Sequence, residues 1–252
     1  FISKEKEYTV NKINIRSIDF TSNESLENLL SKYMDSDIII NCAAALKPKN
    51  KYDDFLNEDF PACIERIIEK NKSNALFIHF SSINTILKMR RDKYSLSKKK
   101  AEEKLNKNKT LIIRLPFLLE KNDNIVCNSG NLKTFYNYLN IKFLPFYPMI
   151  YPGHIYQPVE LDKLIDYIEI LILNKSQKNK VLNIIGDNNK SLWDLFEQIA
   201  RIKKRRILKI NIKIFTQFMP KFLINSISKK SNVLQHFLSI DHSQFNEGKT
   251  IL

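Results

Sequence analysis

The chain has 252 residues and a mass of 29.7 kDa, which is enough for one domain of ordinary size or for one domain with an added lobe. Its 43% hydrophobic and 27% charged residues, with only four Gly and eight Pro, exclude collagen-like, low-complexity and disordered classes. The net charge of +14 comes from lysines scattered along the whole chain, so we expect no nucleic-acid partner.

Several other classes of protein are disfavoured by what the chain contains. Its apolar runs are interrupted by polar residues well before the length of a membrane span, so none is expected. Cys42, Cys63 and Cys127 are too widely spaced for a disulfide framework or a zinc site, and we expect no metal. Without a visible secretory signal, a cytoplasmic location is expected.

Strand-like and helix-like segments alternate through the first half of the chain. Strands are predicted where short β-branched or alternating apolar runs occur, at residues 13–19, 37–42, 75–80 and 110–115. Amphipathic helices are predicted between them, at residues 22–33, 53–70 and 94–107. Two parallel neighbouring strands must be joined by a crossover connection, which is usually a helix. This alternation therefore predicts an α/β fold with a doubly wound parallel sheet.

The pattern changes after Pro116. Helices are predicted at residues 131–140, 159–173 and 191–203, and short strands at residues 181–185 and 208–214. Several prolines lie between these elements, in loops that suit the rim of a binding cleft. We therefore divide the chain into a sheet domain at residues 1–116 and a smaller mixed C-terminal lobe at residues 117–252.

Ligands of open parallel sheets bind beyond the carboxyl ends of the strands, so the residues that follow each predicted strand are candidates for a site. These residues are Asp19 and Phe20, then Asn41, Ala43 and Ala44, then Ser81 and Ser82, and finally residues 114–117. The small alanines let a flat nucleotide approach the backbone, and the serine hydroxyls can contact a reacting oxygen. His79, inside an apolar strand, is expected to be a buried, hydrogen-bonded residue of the core.

A tyrosine and a lysine four residues apart open one of the predicted helices. Tyr94 and Lys98 share a helix face, so the ammonium is expected to lower the pKa of the phenol from about 10 toward neutrality and to make it a proton donor or acceptor for an alcohol or ketone. The same spacing occurs at Tyr8/Lys12 and at Tyr138/Lys142. Only Tyr94 closely follows a buried strand that ends in two serines, which favours it as a catalytic residue over a lysine-rich helix start at the surface.

The motifs occur in a characteristic order: Asp19-Phe20, residues 37–44, Asn57, residues 77–82, Tyr94-x-x-x-Lys98 and residues 111–116. In this order they resemble the extended and atypical branches of the short-chain dehydrogenase/reductase superfamily, which include nucleotide-sugar epimerases and dehydratases. Residues 156–162 and 181–187 are similar to the family's substrate-binding lobe. The resemblance implies a Rossmann-like fold and a cytoplasmic NAD- or NADP-dependent oxidoreductase or epimerase that acts on a nucleotide-sugar, or on a similar alcohol or ketone, by hydride transfer.

The resemblance also implies roles for individual residues. Tyr94 would be the acid/base, Lys98 would lower its pKa and hold the nicotinamide ribose, Ser82 would bind the substrate oxygen, and Asn57 would support a proton-relay water or the helix that frames it. The cofactor would be bordered by Asp19, Phe20, Asn41, Ala43, Ala44, Pro116 and Phe117. The substrate would be contacted by Ser81, the less favoured of the two serines, and by His154 and Gln157 in the cleft rim.

Two departures from the family pattern lead to further expectations. The family's glycine-rich phosphate loop is missing, and Phe1 to Ser3 resembles the end of a second strand, so we expect an N-terminal truncation of roughly 30 residues, which leaves a central strand unpaired. The interval between Ser82 and Tyr94 is short and resembles that of atypical relatives that bind a nucleotide without catalysis. The alternative function is therefore a non-catalytic nucleotide-binding or assembly subunit. A homodimer would pair through the helices at residues 53–70 and 94–107.

Overall fold

The computed structural model describes residues 8–10, 13–15, 23–46, 48–86, 92–106, 110–119, 137–141, 145–151, 155–173, 180–211 and 249–251. Asp19, Phe20, His154 and the strand end predicted at Phe1 to Ser3 lie outside these residues. Among the described residues, no helix has both the length and the apolar character that a membrane crossing requires. The same residues contain no group of three His, Cys, Asp or Glu side chains that could hold a metal ion.

A five-stranded sheet forms the centre of the fold, and all of its pairs are parallel. Its strands are β3 (Ile38–Asn41), β4 (Leu76–Ser82), β5 (Thr110–Leu115), β10 (Val181–Ile185) and β13 (Lys249–Ile251), in the spatial order β13-β10-β5-β4-β3. The parallel α/β sheet predicted from the alternating segments is therefore confirmed. Two of its strands come from beyond residue 117, so the sheet draws on both sides of the predicted domain boundary, which stays a prediction.

Helices cover the sheet as the crossovers require. They are α1 (Asn23–Ser31), α2 (Lys51–Glu58), α3 (Phe60–Lys70), α4 (Lys93–Lys104) and α5 (Leu161–Leu173), whereas α6 (Leu192–Ile202) belongs to the smaller lobe. The sequence predicted one helix over residues 53–70, and this was wrong, because the chain forms two. Pro61 has no N–H to continue the hydrogen-bond ladder of α2, and it is tolerated only in the first turn of a new helix, where α3 has it.

The sheet buries a separate apolar layer on each face. One layer joins Phe77 and Ile112 to Ile64 and Ile67 of α3. The other layer joins Ile78, Leu111, Ile113 and Ile184 to Leu164 and Leu171 of α5. Because side chains alternate between the faces of a strand, the odd-numbered residues of β4 face α3 and the even-numbered residues face α5. This alternation decides which way Ser81 and Ser82 point.

A smaller mixed lobe is built from two-stranded pairs and α6. Its strands are β6 (Leu118–Leu119), β7 (Tyr147–Tyr151), β8 (Ile155–Tyr156), β9 (Val159–Glu160), β11 (Lys190–Ser191) and β12 (Ile207–Asn211), paired as β6-β9, β7-β12 and β8-β11. Tyr147, Leu195, Phe196 and Ile199 form its core. At Gly186 the backbone approaches Pro158 so closely that an added Cβ would lie 1.8 Å from its carbonyl oxygen, so this contact between lobe and sheet requires glycine.

The N-terminal strand prediction was wrong in its pairing. Instead of joining the parallel sheet, β2 (Ile13–Ile15) pairs antiparallel with β1 (Tyr8–Val10). The alternation of apolar and polar residues fits either arrangement, because it specifies a half-exposed strand and not its partner. Among the described residues, β3 is hydrogen-bonded along one side only, to β4.

Candidate functional site

The candidate site lies where β3, β4 and β5 end and α4 begins. Asp92 caps α4, and its carboxylate accepts hydrogen bonds from the Ser95 N–H at 3.0 Å and from the Ser95 hydroxyl at 2.7 Å. A short 3-10 turn at Ile83–Ile86 follows β4 and packs against α4. The cap and this packing bring Tyr94 and Lys98, which lie in the first two turns of α4, to the carboxyl end of the sheet.

Lys98 is almost fully buried, with 2% of its surface exposed, and its ammonium donates a hydrogen bond to the Phe80 carbonyl at 3.0 Å. That carbonyl belongs to β4, two residues before Ser82. Burial lowers the pKa of Lys98 to about 8, while the nearby Glu102 and Cys42 act to raise it. Lys98 is therefore mostly protonated at neutral pH, but it is much easier to deprotonate than an exposed lysine.

The pKa of Tyr94 contradicts the expectation drawn from the sequence. Burial raises this pKa to about 12, and the negative charge of Asp92 adds to the effect. The expected lowering by Lys98 was wrong for this structure, because burial of the phenol and the carboxylate at the helix cap outweigh the ammonium, which is held at the backbone of β4. Among the described residues, none forms a hydrogen bond with the Tyr94 hydroxyl.

Asn57 connects the segment after β3 to α4. Its side chain is fully buried and forms a hydrogen-bonded pair with the backbone of Ala45, accepting from the N–H and donating to the carbonyl, both at 2.8 Å. Its second N–H donates to the Ser97 hydroxyl at 3.2 Å. Both donors of the amide are therefore occupied, and of the two predicted roles this geometry favours support of the helix over support of a relay water.

Asn41 is turned into the fold beneath the same segment. Its amide donates to Nδ1 of His79 at 3.2 Å, and its oxygen accepts from the Ala43 N–H at 3.0 Å. His79 is fully buried, as expected from its apolar strand, and burial followed by the charge of Lys98 lowers its pKa to about 3. Asn41 therefore shapes the Ala43 turn, and the contact with a cofactor predicted for its side chain is disfavoured.

Ser81 and Ser82 point to opposite faces of β4, so the structure separates the two candidates. On the face of the sheet that α4 covers, the Ser81 hydroxyl donates to the carboxylate of Glu102 at 2.5 Å. This bond disfavours the substrate contact predicted for Ser81. The Ser82 hydroxyl lies at the end of the strand and accepts from the Asn84 N–H at 3.3 Å.

A buried ion pair beside the site was missed in the sequence. The Arg114 guanidinium on β5 donates to the carboxylate of Glu102 on α4 from Nε at 3.0 Å and from Nη2 at 2.5 Å. Thr85 in the turn after β4 also donates to this carboxylate, at 3.1 Å. The available signal was the position of Glu102 four residues after Lys98, which places both on one face of α4.

The structure gives no side-chain hydrogen bond for the remaining predicted residues that it describes, and it places them as follows. Ala43 packs partly against the core below the sheet, and Ala44 is exposed. Pro116 is half-buried, and Phe117 packs against the core of the smaller lobe. The backbone carbonyl of Gln157 accepts a hydrogen bond from the Gly186 N–H at 3.1 Å, which anchors the cleft rim to the end of β10.

Comparison with solved structures identifies the fold. The chain is similar to dTDP-4-dehydrorhamnose reductase from Bacillus anthracis str. Ames in complex with NADP, with a TM-score of 0.57, 16% identity, and coverage of 79% of this chain and 73% of that one. It is also similar to a hypothetical dTDP-4-dehydrorhamnose reductase from Sulfolobus tokodaii, with a TM-score of 0.56, 20% identity, and coverage of 81% of this chain and 74% of that one. A third similar structure is dTDP-glucose 4,6-dehydratase from Bacillus anthracis str. Ames in complex with NAD, with a TM-score of 0.57, 17% identity, and coverage of 78% of this chain and 67% of that one.

At these identities the likeness establishes the fold. No protein-family model matches the chain, and no curated protein matches its sequence. The resemblance stated from the motifs is therefore confirmed as a shared fold: the Rossmann-like parallel sheet with helices that these nucleotide-sugar reductases and this dehydratase have in common.

Proposed function

We propose that the protein is an NAD(P)-dependent enzyme of the extended short-chain dehydrogenase/reductase type that acts on a nucleotide-sugar or a similar alcohol or ketone. The observation that carries the proposal is the burial of the Lys98 ammonium against the carboxyl end of β4, one helical turn from Tyr94, in a fold that other NAD- and NADP-bound enzymes share. Ligands of this fold class bind at that edge of the sheet.

The residues of the site fit a dinucleotide in part. The Lys98 ammonium has three N–H donors and uses one of them on a described residue, which leaves two for the hydroxyls of a ribose. The exposed backbone of the segment after β3, held in place by Asn57, offers a surface without bulky side chains at Ala43 and Ala44. Residues 1–129 contain no glycine, so these residues themselves offer no glycine-rich loop to the phosphates.

The chemistry that NAD(P) would supply is acceptance or donation of a hydride at a substrate carbon. Tyr94 would exchange the proton of the substrate oxygen, since its phenol is half-buried at the helix start and has no described hydrogen-bond partner to compete. Ser82 would orient that oxygen from the end of β4. With a pKa of about 12 the phenol of Tyr94 is protonated at neutral pH, so it would enter the reaction as the proton donor.

The proposal is tested by titrating the purified protein with NADH and NADPH and following nucleotide fluorescence. Saturable binding is expected, and Lys98→Met should weaken it by about tenfold or more because two ribose hydrogen bonds to a charged donor are lost. Lys99→Met removes a charge from the exposed side of the same helix and should bind as the parent does. Absence of binding by the parent protein for both nucleotides would refute the proposal.

Catalysis requires a separate test with nucleotide-sugar substrates. Tyr94→Phe should lower kcat by about 100-fold or more, as loss of a general acid does, while nucleotide binding is retained. Tyr33→Phe, at an exposed tyrosine, is the matched control. Equal turnover by both variants would show that Tyr94 does not exchange the proton.

A second candidate function is a nucleotide-binding or assembly subunit without catalysis. The raised pKa of Tyr94 favours it, because a phenol with a pKa of about 12 is a weak proton donor and is hardly ever present as the phenolate at neutral pH. This function predicts bound nucleotide that is never oxidised or reduced and a Tyr94→Phe variant identical to the parent in every assay. For either function we propose a homodimer through α2, α3 and α4, which light scattering of the purified protein would detect.

A further inference from the structure

The Glu102 carboxylate is buried on α4 and is bonded to three other parts of the fold. It accepts a hydrogen bond from the Ser81 hydroxyl of β4 at 2.5 Å and from the Thr85 hydroxyl, in the turn after β4, at 3.1 Å. The Arg114 guanidinium on β5 donates to one carboxylate oxygen from Nε at 3.0 Å and to the other from Nη2 at 2.5 Å. A planar guanidinium that meets both oxygens fixes the orientation of the carboxylate as well as its position.

Arg114 is itself held in place by a neighbouring strand. Its Nη1 donates to the Asn183 side chain on β10 at 3.3 Å, so the ion pair is anchored to two strands of the sheet. Taking two charges out of water has a large energetic cost, and a buried ion pair often adds no net stability over apolar side chains of similar volume. What this pair does supply is a defined geometry between the two elements that it joins, α4 and β5.

The turn after β4 connects the same carboxylate to Ser82. The Thr85 hydroxyl, which donates to Glu102, also donates to the Ser82 carbonyl at 2.9 Å, and its single proton is shared between the two acceptors. The Asn84 N–H donates to the Ser82 hydroxyl at 3.3 Å. Ser82 is therefore held at its backbone and at its side chain by one turn, and this turn is bonded to α4 through Thr85.

Glu102 is connected to Tyr94 through the backbone of α4. Tyr94, Lys98 and Glu102 follow one another at intervals of one turn along the helix. Two anchors hold these turns on the sheet: Lys98 donates to the Phe80 carbonyl of β4 at 3.0 Å, and Glu102 is paired with Arg114 of β5. A helix rises by about 1.5 Å per residue, so Tyr94 lies about 12 Å from Glu102 along the axis, and a shift of the anchored helix moves the phenol with it.

We propose that Glu102 is a positioning residue that holds the hydroxyls of Ser82 and Tyr94 at the spacing at which both reach one substrate oxygen. It acts on Ser82 through Thr85 and on Tyr94 through the backbone of α4. The inference rests on the proposed function, which supplies the roles of Ser82 and Tyr94. Each hydroxyl must come within about 2.6–3.2 Å of the oxygen, and a misplacement of about 1 Å costs about 100-fold in rate.

Glu102→Asp is the first test, because it keeps the charge and shortens the side chain by one methylene, which is about 1.5 Å. The carboxylate then cannot keep its bonds to Arg114 and Thr85 unless α4 or the turn moves. With the nucleotide-sugar that the parent turns over, we expect kcat to fall by about 10- to 100-fold. The Kd of NADPH should stay within about twofold of the parent's, because Lys98 has its own anchor on β4. Glu103→Asp makes the same change at the exposed neighbouring carboxylate and should leave kcat unchanged.

A merely structural role predicts a different pattern, so the melting temperature is measured alongside turnover. If Glu102→Asp lowered the melting temperature while kcat per bound nucleotide stayed at the parent's value, the inference would be overturned. Thr85→Val covers the case in which Glu102→Asp does not fold. It replaces the hydroxyl by a methyl group of similar size and removes the link between Glu102 and Ser82. We expect kcat to fall by about tenfold in this variant, and an unchanged kcat would contradict the inference.

Fluorine NMR of protein labelled with 3-fluorotyrosine reports on the surroundings of Tyr94 without any substrate. The Tyr94 resonance is assigned as the one that is lost in Tyr94→Phe. Glu102→Asp should shift this resonance, because the anchored helix moves, whereas Glu103→Asp and Thr85→Val should leave it in place. An unmoved resonance in Glu102→Asp would refute the role of Glu102 toward Tyr94.

The two measurements separate a failure of the inference from a failure of the proposed function. If the parent turns over no nucleotide-sugar while the Tyr94 resonance shifts in Glu102→Asp and not in Glu103→Asp, the proposed function fails and the control of Tyr94 by Glu102 stands. If the parent is active and Glu102→Asp keeps both its kcat and its Tyr94 resonance, the inference is refuted and the proposed function stands.

Discussion

The side chain of Asn57 joins the segment after β3 to α4, and replacing it with alanine measures how much this connection contributes to the free energy of unfolding. Asn57→Ala removes three hydrogen bonds: two with the backbone of Ala45 at 2.8 Å and one with the Ser97 hydroxyl at 3.2 Å. Each buried hydrogen bond contributes roughly 0.5–1.5 kcal/mol, so we expect the free energy of unfolding to fall by about 2–4 kcal/mol. Ser97 keeps its bond to the Tyr94 carbonyl, so most of the loss falls on Ala45.

Urea unfolding measures this loss. Circular dichroism follows the helices, and the fluorescence of the single tryptophan, Trp193, follows the core of the smaller lobe, where it is buried. The midpoint should fall by the same amount with both probes, with an unchanged slope if the sheet and the lobe unfold together. Asn188→Ala, which removes an exposed amide that donates to its neighbour Asp187, is the matched control and should change stability by less than about 0.5 kcal/mol.

An unfolding free energy for Asn57→Ala within about 0.5 kcal/mol of the parent would refute the reasoning, since the amide would then be as dispensable as a surface residue. Asn57→Asp is a useful second variant. It keeps an acceptor for the Ala45 N–H but cannot donate to the carbonyl, and it buries a charge, so it should be at least as destabilising as alanine.

Three further predictions concern the sheet and its edge. The pKa of His79 is about 6.5 in the unfolded chain and about 3 in the folded protein, so the free energy of unfolding should fall as the pH drops below 6.5, by about 2 kcal/mol at pH 5 from this residue. Denaturant titrations at pH 7.5 and pH 5 measure this loss, and His79→Gln should lack it. An equal change in the free energy of unfolding between the two pH values for both proteins would contradict the prediction. Gly186→Ala should lower the free energy of unfolding by about 2 kcal/mol or more, because its Cβ would overlap the Pro158 carbonyl, and a melting temperature equal to the parent's would show that the backbone gives way. Ser81→Ala should lower the melting temperature and leave turnover unchanged, whereas Ser82→Ala should lower turnover and leave the melting temperature unchanged. The opposite result would show that Ser81 contacts the substrate and that Ser82 is structural.

The parallel sheet was predictable because its central strands, β4 and β5, are apolar and buried, and because the helices between such runs leave parallel pairing as the simplest connection. The β-branched run at residues 37–42 was also predicted to be buried on both faces, and this was wrong: Ile40 is 44% exposed, since β3 pairs along one side only among the described residues. The pairing of β1 with β2 and the entry of β13 into the sheet were not predictable in this way. Short strands carry too few side chains to specify a partner, and tertiary contacts decide.

The placement of the candidate residues was predictable, but their bonding was not. The strand ends and the Tyr94–Lys98 spacing predicted that these residues lie together at the carboxyl end of the sheet, because helix and strand periodicity are local properties, and Lys98 is hydrogen-bonded there to the Phe80 carbonyl. The pKa of Tyr94 was predicted in the wrong direction, because it depends on burial and on the charge at the helix cap. The Glu102–Arg114 pair joins two elements, and nothing in a local pattern indicates which carboxylate a buried arginine will meet.

The position of β13 has a consequence for how the protein forms during translation. Its residues pair with β10 more than sixty positions earlier, with Ile184 opposite Thr250, so this border of the sheet stays open until residues 249–251 have left the ribosome. Until then the exposed backbone of β10 is available to other nascent chains. Expression at low temperature with abundant chaperones should therefore improve the yield of native protein.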